Sequence, residues 1–350
     1  MSNPLQKTIL YAVLNWGLGH ATRSVPIIHR LTQLGHRVII ASDGLALELL
    51  QKEFPKLDLI NTEPYQVSYS TRAKNFNIKL ALQIPNFIRA IAKEHLHCKK
   101  LCDKYNVDLI ISDNRYGFYQ KNIPSALICH QLRLLYPNHK LVESLVNFGY
   151  QRYLKRFTQL WVPDIPPPDN LSRDMSKLTW PNIYFIGIDS RLTLKPSKKV
   201  YDTLSILSGP EPQRSLLENE IIEKLSNVKG RHCIIRGSNT PMQEIKNDNI
   251  ILISLASTEE VNAQINQSEL VICRAGYTSI MDMIVLKKSA ILVPTPGQVE
   301  QEYLAESLSK KQWFQYQRQG AISLPKNSNY QVPDLETSYD YAFIEEFLSC

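Results

Sequence analysis

Short apolar runs alternate with longer segments of helical periodicity along almost the whole sequence. This alternation constrains the fold most, because such runs are typical of parallel strands joined by crossover helices. In the first half the predicted strands span residues 9–14, 37–41, 57–60, 108–112, 126–129 and 160–162. The predicted helices span residues 24–34, 45–53, 78–104 and 141–157. The first half therefore predicts an α/β domain.

The alternation starts again after residues 163–170, of which four are proline. Proline fixes φ and cannot donate to a ladder, so this segment is predicted to be a linker. The second series of strands is predicted at residues 183–186, 204–207, 232–235, 250–253, 270–273 and 290–293. Its helices are predicted at residues 213–225, 259–267, 277–286 and 299–308, and residues 341–348 form a closing helix.

The length of 350 residues also favours two domains, because a chain of this size exceeds a single ordinary core. The prediction is two tandem Rossmann-like domains with the active site in the cleft between them. The predicted boundaries are a first domain over 1–162, a linker over 163–180 and a second domain over 181–335. Residues 336–350 are predicted to hold a C-terminal helix that packs back on the first domain.

Composition excludes several classes of protein. No apolar run reaches eighteen residues, the first residues lack the pattern of a secretory signal, and the six cysteines are scattered. These features predict a cytoplasmic protein. The charge is uneven: residues 1–165 carry 21 Lys and Arg against 11 Asp and Glu, whereas the remainder carries 19 against 22. The two halves are therefore expected to face different partners.

The first predicted strand ends in a turn, NWGLGHATR, with Gly17, Gly19 and His20. Two glycines allow close backbone approach to a phosphate or substrate, but this spacing lacks the third glycine of a dinucleotide fingerprint. Asp43, at the end of the second strand, keeps a NAD-binding alternative open as a ribose ligand. His20 can act as a base near neutral pH, and Asp113, at the end of the fourth strand, can orient it.

The C-terminal half carries a sharper signal in CRAGYTSIMD, where a buried strand breaks and a helix begins with hydroxyl residues. A helix N-terminus is a seat for a diphosphate, and Asp282, one turn further on, can reach a ribose diol. A second turn, PGQVEQEY, places Gln301 and Glu302 at a helix start, where they suit sugar hydroxyls. A plain helix start with a solvated polar face is the alternative for this second turn.

These stretches resemble the GT-B glycosyltransferases, and most of all the branch that contains the peptidoglycan N-acetylglucosaminyltransferase and the galactolipid synthases. NWGLGHATR resembles the glycine turn of the family, although one glycine is missing. CRAGYTSIMD resembles its nucleotide-binding stretch and PGQVEQEYLA its sugar-reading stretch, in which Glu302 replaces the commoner Gln. LSGPEPQR, with Ser208 and Gly209, resembles its interdomain loop more loosely.

The resemblance implies a hexosyltransferase-type enzyme that inverts the anomeric carbon of a nucleotide-sugar, most simply a UDP-sugar, with His20 and Asp113 as the catalytic pair. The donor-binding residues that it implies, together with neighbouring turn residues, are Gly17, Gly19, Ser208, Gly209, Arg236, Arg274, Gly276, Tyr277, Thr278, Ser279, Asp282, Gln301 and Glu302. No Asp-x-Asp triplet occurs, so a reaction without a metal ion or another cofactor is expected. Three alternatives remain: a UDP-sugar epimerase of the same architecture, a NAD-dependent oxidoreductase and a non-catalytic nucleotide-sugar-binding subunit.

The acceptor is not specified by the sequence and can be a lipid, a glycan or a small molecule. Residues 66–104 carry eight Lys or Arg with apolar residues between them, a pattern that fits contact with an anionic membrane. The alternative is a helix whose apolar face packs on the first sheet while its charges are solvated. The expected location is cytoplasmic, with the inner membrane face as a candidate surface and no nucleic-acid partner.

Overall fold

The computed structural model describes residues 6–65, 84–136, 140–238, 249–324, 330–335, 337 and 341–349. These residues form two compact units. The first unit holds the described residues up to 189 together with 341–349, and the second holds those from 190 to 337. In the part of the chain so described, no helix is both long and apolar enough to cross a bilayer.

The first unit is built on a parallel sheet of seven strands in the order β3-β2-β1-β4-β5-β6-β7. Its strands are β1 (Thr8–Val13), β2 (Arg37–Ser42), β3 (Asp58–Asn61), β4 (Leu109–Asp113), β5 (Ser125–Ile128), β6 (Gln159–Val162) and β7 (Ile183–Phe185). Its helices are α1 (Gly19–Gln33), α2 (Gly44–Glu53), α3 (Ile84–Tyr105) and α4 (Lys140–Leu154). The central strands are buried on both faces, which explains their continuous apolar runs.

The C-terminal helix, numbered α9 in chain order, spans Ala342–Leu348 and packs on the first unit. The rings of Phe343 and Phe347 lie 4.6 and 5.2 Å from that of Trp161 on β6, both nearly perpendicular to it. Edge-to-face pairs of this kind add to the stabilisation from apolar burial. The end of the chain therefore completes the core of the unit in which the chain begins.

The boundary between the units differs from the predicted one. Residues 183–185 form β7 and pair with β6, so they belong to the first sheet and not to a second domain beginning at 181. The proline-rich segment is likewise not a linker, because it folds within the first unit. The buried carboxylate of Asp164 accepts hydrogen bonds from the N–H groups of Leu171 and Ser172, both at 2.8 Å. These bonds order a segment that prolines keep out of the sheet.

The second unit is a parallel sheet of six strands in the order β10-β9-β8-β11-β12-β13. Its strands are β8 (Tyr201–Ile206), β9 (His232–Ile235), β10 (Ile250–Ile253), β11 (Ser268–Cys273), β12 (Ala290–Leu292) and β13 (Gln315–Tyr316). Its helices are α5 (Gln213–Ser226), α6 (Thr258–Asn266), α7 (Tyr277–Val285) and α8 (Val299–Lys310). Both units are thus Rossmann-like, as the alternating pattern predicted.

Each sheet has one point where the strand order reverses. In the first sheet it lies between β1 and β4, and in the second between β8 and β11. Crossover helices leave in opposite directions on the two sides of such a point, so a crevice opens there at the carboxyl ends of the strands. The residues that follow β1, β4, β8 and β11 are therefore the first candidates for a functional site.

Candidate active site

His20 and Asp113 meet at the switch point of the first sheet. Asp113 ends β4, beside Val13 of β1, and His20 lies in the first turn of α1, directly after the glycine turn. Gly17 has φ of +75°, a conformation that favours glycine and allows this sharp turn. His20 Nδ1 lies 2.7 Å from Asp113 Oδ1 across 93 residues of sequence. The sheet order thus brings together the two residues predicted as a catalytic pair.

Asp113 is completely buried and surrounded by donors. Arg23 Nε donates to its Oδ2 at 2.7 Å, Arg23 Nη2 donates to its Oδ1, and the Ser24 hydroxyl donates to Oδ2 at 3.2 Å. Burial alone would raise the pKa of Asp113, but the charges of Arg23 and His20 outweigh it and lower the pKa to about 2. The carboxylate is therefore ionised at any physiological pH.

Two groups lie near Nδ1: the ionised Asp113 Oδ1 at 2.7 Å and Arg23 Nη2, a donor, at 2.9 Å. Arg23 Nη2 can donate to Asp113 Oδ1 instead, whereas a carboxylate oxygen this close to Nδ1 requires a proton between the two atoms. His20 therefore carries its proton on Nδ1, donates it to Asp113, and leaves Nε2 as a bare acceptor. Burial, and after it the guanidinium of Arg23, lower the pKa of His20 below its ordinary value, although Asp113 acts in the opposite direction. The side chain remains 15% exposed. It is a neutral, oriented imidazole that can take up a proton.

Sequence reasoning did not assign a role to Arg23, Ser24 or His130 in this site. Arg23 and Ser24 follow His20 by three and four residues, so the helical repeat of α1 turns them toward the same carboxylate. His130 follows the end of β5, the neighbour of β4, and its Nδ1 lies 3.4 Å from Arg23 Nη1. Its position after a strand end was the one available signal.

Asp43, the residue that kept a NAD-binding alternative open, is part of a buried ion network. Arg115 Nη1 donates to its Oδ1 at 2.8 Å, and Asn15 Nδ2 donates to its Oδ2 at 3.1 Å. Arg115 is 1% exposed and also binds Glu94 and Thr62. Both oxygens of Asp43 are therefore occupied within the protein, which removes the support for a ribose ligand at this position.

The switch point of the second sheet gathers the predicted donor-binding turns. Gly209, after β8, has φ of +101°, and Gly276, after β11, precedes the first turn of α7. Tyr277, Thr278 and Ser279 form that first turn, whose N–H groups and dipole favour an anion. Sequence reasoning missed Thr295, whose hydroxyl is buried without a hydrogen-bond partner among the described residues.

Thr295 lies next to Gly209, because a Cβ at Gly209 would stand 3.6 Å from its Oγ1. An unsatisfied buried hydroxyl beside a glycine turn is an unusual feature of a folded protein. The group can donate to an anion that approaches the turn. The signal in the sequence was the hydroxyl residue after the β12 strand in VPTPG.

Arg274 was predicted to bind the donor, but its guanidinium is engaged by the backbone. Its nitrogens donate to the carbonyl oxygens of Ser208 and Gln213, at 3.4 and 2.7 Å, and of Val293 and Pro294, both at 3.3 Å. Burial lowers its pKa to about 10, so it remains charged. Arg274 thus ties the loops after β8 and β12 together, and its contact with the donor stays a prediction.

Arg236 is likewise held inside the protein. Its Nε donates to Glu218 on α5, and the same carboxylate accepts from Arg214 Nη1 at 2.5 Å. All three residues are no more than 5% exposed. Arg236 therefore belongs to a buried ion network, and its place in the donor site stays a prediction.

Asp282 occupies the position predicted for the ribose contact, on α7 one turn after Thr278. The Ser190 hydroxyl donates to its Oδ1 at 2.5 Å. Burial raises the pKa of Asp282 to about 6, against the lowering effects of Ser190 and Arg191. A carboxyl group that titrates this close to neutrality is poised to gain from a hydrogen-bonding ligand.

Gln301 and Glu302 organise the turn before α8. Gln301 Oε1 accepts a hydrogen bond from the N–H of Thr295 at 2.8 Å, and Glu302 Oε1 accepts one from Gly297 at 2.9 Å. Each uses one polar atom in this way, and their contact with a sugar stays a prediction. Among the described residues, no three His, Cys, Asp or Glu side chains lie close enough together to hold a metal ion.

Comparison with known proteins finds a glycosyltransferase family model for each of the two units. Residues 7–123 match the family model described as Glycosyl transferase family 1, and residues 217–325 match the Glycosyltransferase family 28 C-terminal domain. No curated protein sequence matches the chain.

Many solved structures share the fold, and three of them illustrate the similarity. MurG of Acinetobacter baumannii is 12% identical, with 91% of this chain and 87% of that chain covered and a TM-score of 0.54. The glycosyltransferase SnogD of Streptomyces nogalater is 13% identical, with 98% and 93% covered and a TM-score of 0.62. The spinosyn rhamnosyltransferase SpnG, complexed with thymidine diphosphate, is 12% identical, with 89% and 86% covered and a TM-score of 0.60.

Proposed function

Because this chain is a glycosyltransferase of the GT-B type, we propose that it transfers a sugar from a UDP-sugar to an acceptor hydroxyl with inversion and without a metal ion. In this proposal the second unit binds the donor and the first unit supplies the base. The main support for this proposal is the contact of 2.7 Å between His20 Nδ1 and the ionised carboxylate of Asp113. It leaves Nε2 as the one ring nitrogen of His20 that can accept a proton.

The proposed donor site lies at the turns after β8, β11 and β12. The first turn of α7 receives the diphosphate. Gly209 and the hydroxyl of Thr295, which has no hydrogen-bond partner in the part of the chain that the structure describes, approach it from the side. Asp282 accepts hydrogen bonds from the ribose diol, and Gln301 and Glu302 form hydrogen bonds with the hydroxyl groups of the sugar. The thymidine diphosphate in the related rhamnosyltransferase supports a pyrimidine nucleoside diphosphate at such a site.

The proposed reaction is a direct displacement. The acceptor hydroxyl attacks C1 of the sugar while its proton passes to His20 Nε2, and the bond from C1 to the diphosphate oxygen breaks. The imidazolium that forms is stabilised by Asp113. The N-terminus of α7 and the charge of Arg274 stabilise the negative charge that develops on the leaving diphosphate.

The test is to replace His20 by Ala. We expect turnover to fall by roughly 10²–10⁴, the usual contribution of a positioned general base. Binding of UDP should stay close to the wild-type value, because the nucleotide is assigned to the second unit. The measurement is sugar transfer across a panel of acceptors, with the anomeric configuration of the product read by NMR and UDP affinity by calorimetry.

The outcomes separate the alternatives. Near wild-type transfer by the variant would place the base elsewhere, and retention of configuration would reject direct displacement. A free epimerised sugar formed without any acceptor would favour the epimerase. His29→Ala is the matched control, because His29 lies on the same helix but packs against Phe54.

We also propose that the first unit contacts an anionic membrane. Of the basic segment 66–104, residues 66–83 lie outside the described residues, and the remainder forms most of α3. Cys98 and Leu101 pack on the sheet, whereas Ile88 and Leu96 are each 62% exposed among lysines and arginines. The neighbouring helix α4 on the same face of the sheet exposes a further apolar row, which supports this proposal.

A further inference from the structure

Arg23 stands at the centre of the site on the first unit, where the proposed mechanism gives it no part. It lies three residues after His20 on α1 and is 2% exposed. Its three nitrogens face three different groups. Nε donates to Asp113 Oδ2 and Nη2 donates to Asp113 Oδ1. Nη2 also lies 2.9 Å from His20 Nδ1, and Nη1 lies 3.4 Å from His130 Nδ1.

We propose that Arg23 is a positioning residue that keeps the imidazole of His20 neutral and holds its proton on Nδ1, so that Nε2 is available as the base. The catalytic part of this inference rests on the proposed function, whereas the protonation state of His20 can be measured without it. A purely structural role, in which Arg23 only neutralises the buried Asp113, is the alternative that the test must separate.

The need for such a residue follows from the chemistry of the pair. A carboxylate at 2.7 Å orients an imidazole, but it also stabilises the imidazolium. A histidine that is already protonated cannot accept a proton from the acceptor hydroxyl. The carboxylate therefore orients the ring but also raises its pKa, and this lowers the fraction of neutral His20 at a given pH unless a second charge offsets its field.

Arg23 supplies that charge without displacing the histidine. It binds both oxygens of Asp113 in the bidentate geometry that guanidinium groups favour, so the carboxylate is fixed while its field at the ring is reduced. Arg23 has no acceptor atom and donates to the same Oδ1 that accepts from His20 Nδ1–H. The tautomer is thereby retained while the charged ring is disfavoured.

The other groups around the ring leave this role to Arg23. From α1, Ser24 donates to Asp113, and from β1, Tyr11 keeps its proton because burial, followed by Asp113, raises its pKa far above the ordinary value. His130, after β5, lies against Arg23 Nη1 and affects the pKa of His20 less than Arg23 does. Among the described groups that face His20, Arg23 is the one permanent cation.

The same geometry assists turnover. Once His20 has accepted the proton of the acceptor hydroxyl, the imidazolium lies beside the guanidinium at 2.9 Å. Repulsion between the two cations favours release of the proton from Nε2 to solvent, which restores the neutral ring.

The test measures the imidazole nitrogens of His20 by ¹⁵N NMR, with the resonance assigned from its absence in His20→Ala. In the wild type we expect the tautomer with the proton on Nδ1 and a titration midpoint below the ordinary histidine value. In Arg23→Gln the midpoint should rise by about one unit or more, because a neighbouring cation has been removed. The acid limb of the pH profile of kcat/KM should move upward with it.

Arg30→Gln is the matched control, since Arg30 lies on the same helix but pairs with the exposed Glu345. It should leave the His20 titration unchanged. Arg23→Lys keeps a charge if Arg23→Gln fails to fold, and its midpoint should stay nearer to that of the wild type. An unchanged midpoint in folded Arg23→Gln, or a wild-type proton on Nε2, overturns the proposal. If the midpoint moves while His20→Ala still transfers sugar, the proposed base is wrong and the role of Arg23 on the ring stands.

Discussion

At the scale of single residues, Asp282 makes the proposed donor site sensitive to pH. Its pKa is raised from 3.8 to about 6, so the folded protein holds this proton more tightly than the unfolded chain does. Between these two values the folded state binds more protons, and the contribution of Asp282 to stability is lost as pH rises toward 6. Above pH 6 the protein therefore carries an ionised carboxylate at a poorly solvated position, which a ribose diol can stabilise with two hydrogen bonds.

Because Asp282 is ionised only above about pH 6, its protonation state should control donor binding. We expect the affinity for UDP to be greatest above pH 6 and to fall by up to about tenfold per pH unit below it, because the protonated carboxyl loses the charge-assisted bonds. Asp282→Asn should bind UDP more weakly at pH 7.5 and show no such decline near pH 6. Calorimetric titrations of both proteins between pH 5 and 8 provide the measurement.

Glu302→Gln is the control, because it changes a carboxylate at the proposed sugar end of the site and should leave the affinity for UDP intact. Equal pH dependence in the wild type and Asp282→Asn would show that another group controls binding. Unchanged affinity in Asp282→Asn at pH 7.5 would remove Asp282 from the ribose contact.

At the scale of secondary-structure elements, α4 has an inverted distribution of polarity. Asn147 and Leu154 face the protein, whereas Leu141, Leu145 and Phe148 point outward and are 89, 75 and 70% exposed. These three positions follow the spacing i, i+4 and i+7, so they form one stripe. Exposed basic residues accompany the stripe, namely Lys140, Arg152, Lys155 and Arg156. An apolar stripe with a basic border is typical of a helix that lies on an anionic membrane.

We therefore expect the protein to bind vesicles that contain phosphatidylglycerol and not vesicles of phosphatidylcholine alone. Leu145→Asp combined with Phe148→Asp should weaken this binding at least about tenfold, because each apolar side chain contributes roughly 1.5–3 kcal/mol when buried. Co-sedimentation with vesicles at low and high salt is the measurement, and binding should weaken as salt screens the basic residues.

Leu216→Asp on α5 is the control, since Leu216 is 51% exposed on the second unit and should not affect vesicle binding. Light scattering of the free protein tests the competing explanation. If the wild type is a dimer that the double variant dissociates, the stripe is an interface between two copies and not a membrane surface.

The elements themselves were largely predictable. Twelve strands followed from apolar runs that a parallel sheet buries on both faces, with bounds that shifted by a few residues. The thirteenth, β13, has two residues and offers too short a pattern to recognise. β7 was predicted as a strand but placed in the wrong domain, because pairing with β6 depends on the path of a proline-rich loop that local pattern does not encode.

The residues of the candidate site that lie at the ends of strands could be predicted from the sequence. His20 and Asp113 meet because β1 and β4 are neighbours, which follows from the usual strand order of a doubly wound sheet. The partners of buried arginines were not predictable. Arg274 and Arg236 looked like ligands of a phosphate, yet packing turns one toward backbone carbonyls and the other toward Glu218. Such choices depend on side-chain distances that arise only in the folded protein.

At the scale of the whole molecule, the two units divide the chemistry. The first half of the sequence carries the excess of positive charge and the proposed base, whereas the second half is slightly acidic and carries the proposed diphosphate seat. An acidic unit that binds a diphosphate needs local positive potential. The dipole of α7 provides about half a positive charge at its first turn, and Arg274 adds a full one nearby.

This arrangement predicts that turnover does not depend on a divalent cation. We expect transfer from a UDP-sugar to stay unchanged after dialysis against EDTA, because the charge of the leaving diphosphate is met by the helix terminus, hydroxyl groups and Arg274. Arg274→Met should lower kcat because it removes this charge, and it should also weaken UDP binding because Arg274 holds the loops after β8 and β12. EDTA presaturated with Mg²⁺ controls for effects of the chelator itself. Loss of turnover in EDTA, with recovery on adding Mg²⁺ or Mn²⁺, would show that a metal ion stabilises the charge on the leaving diphosphate. That result would reject the proposed mechanism.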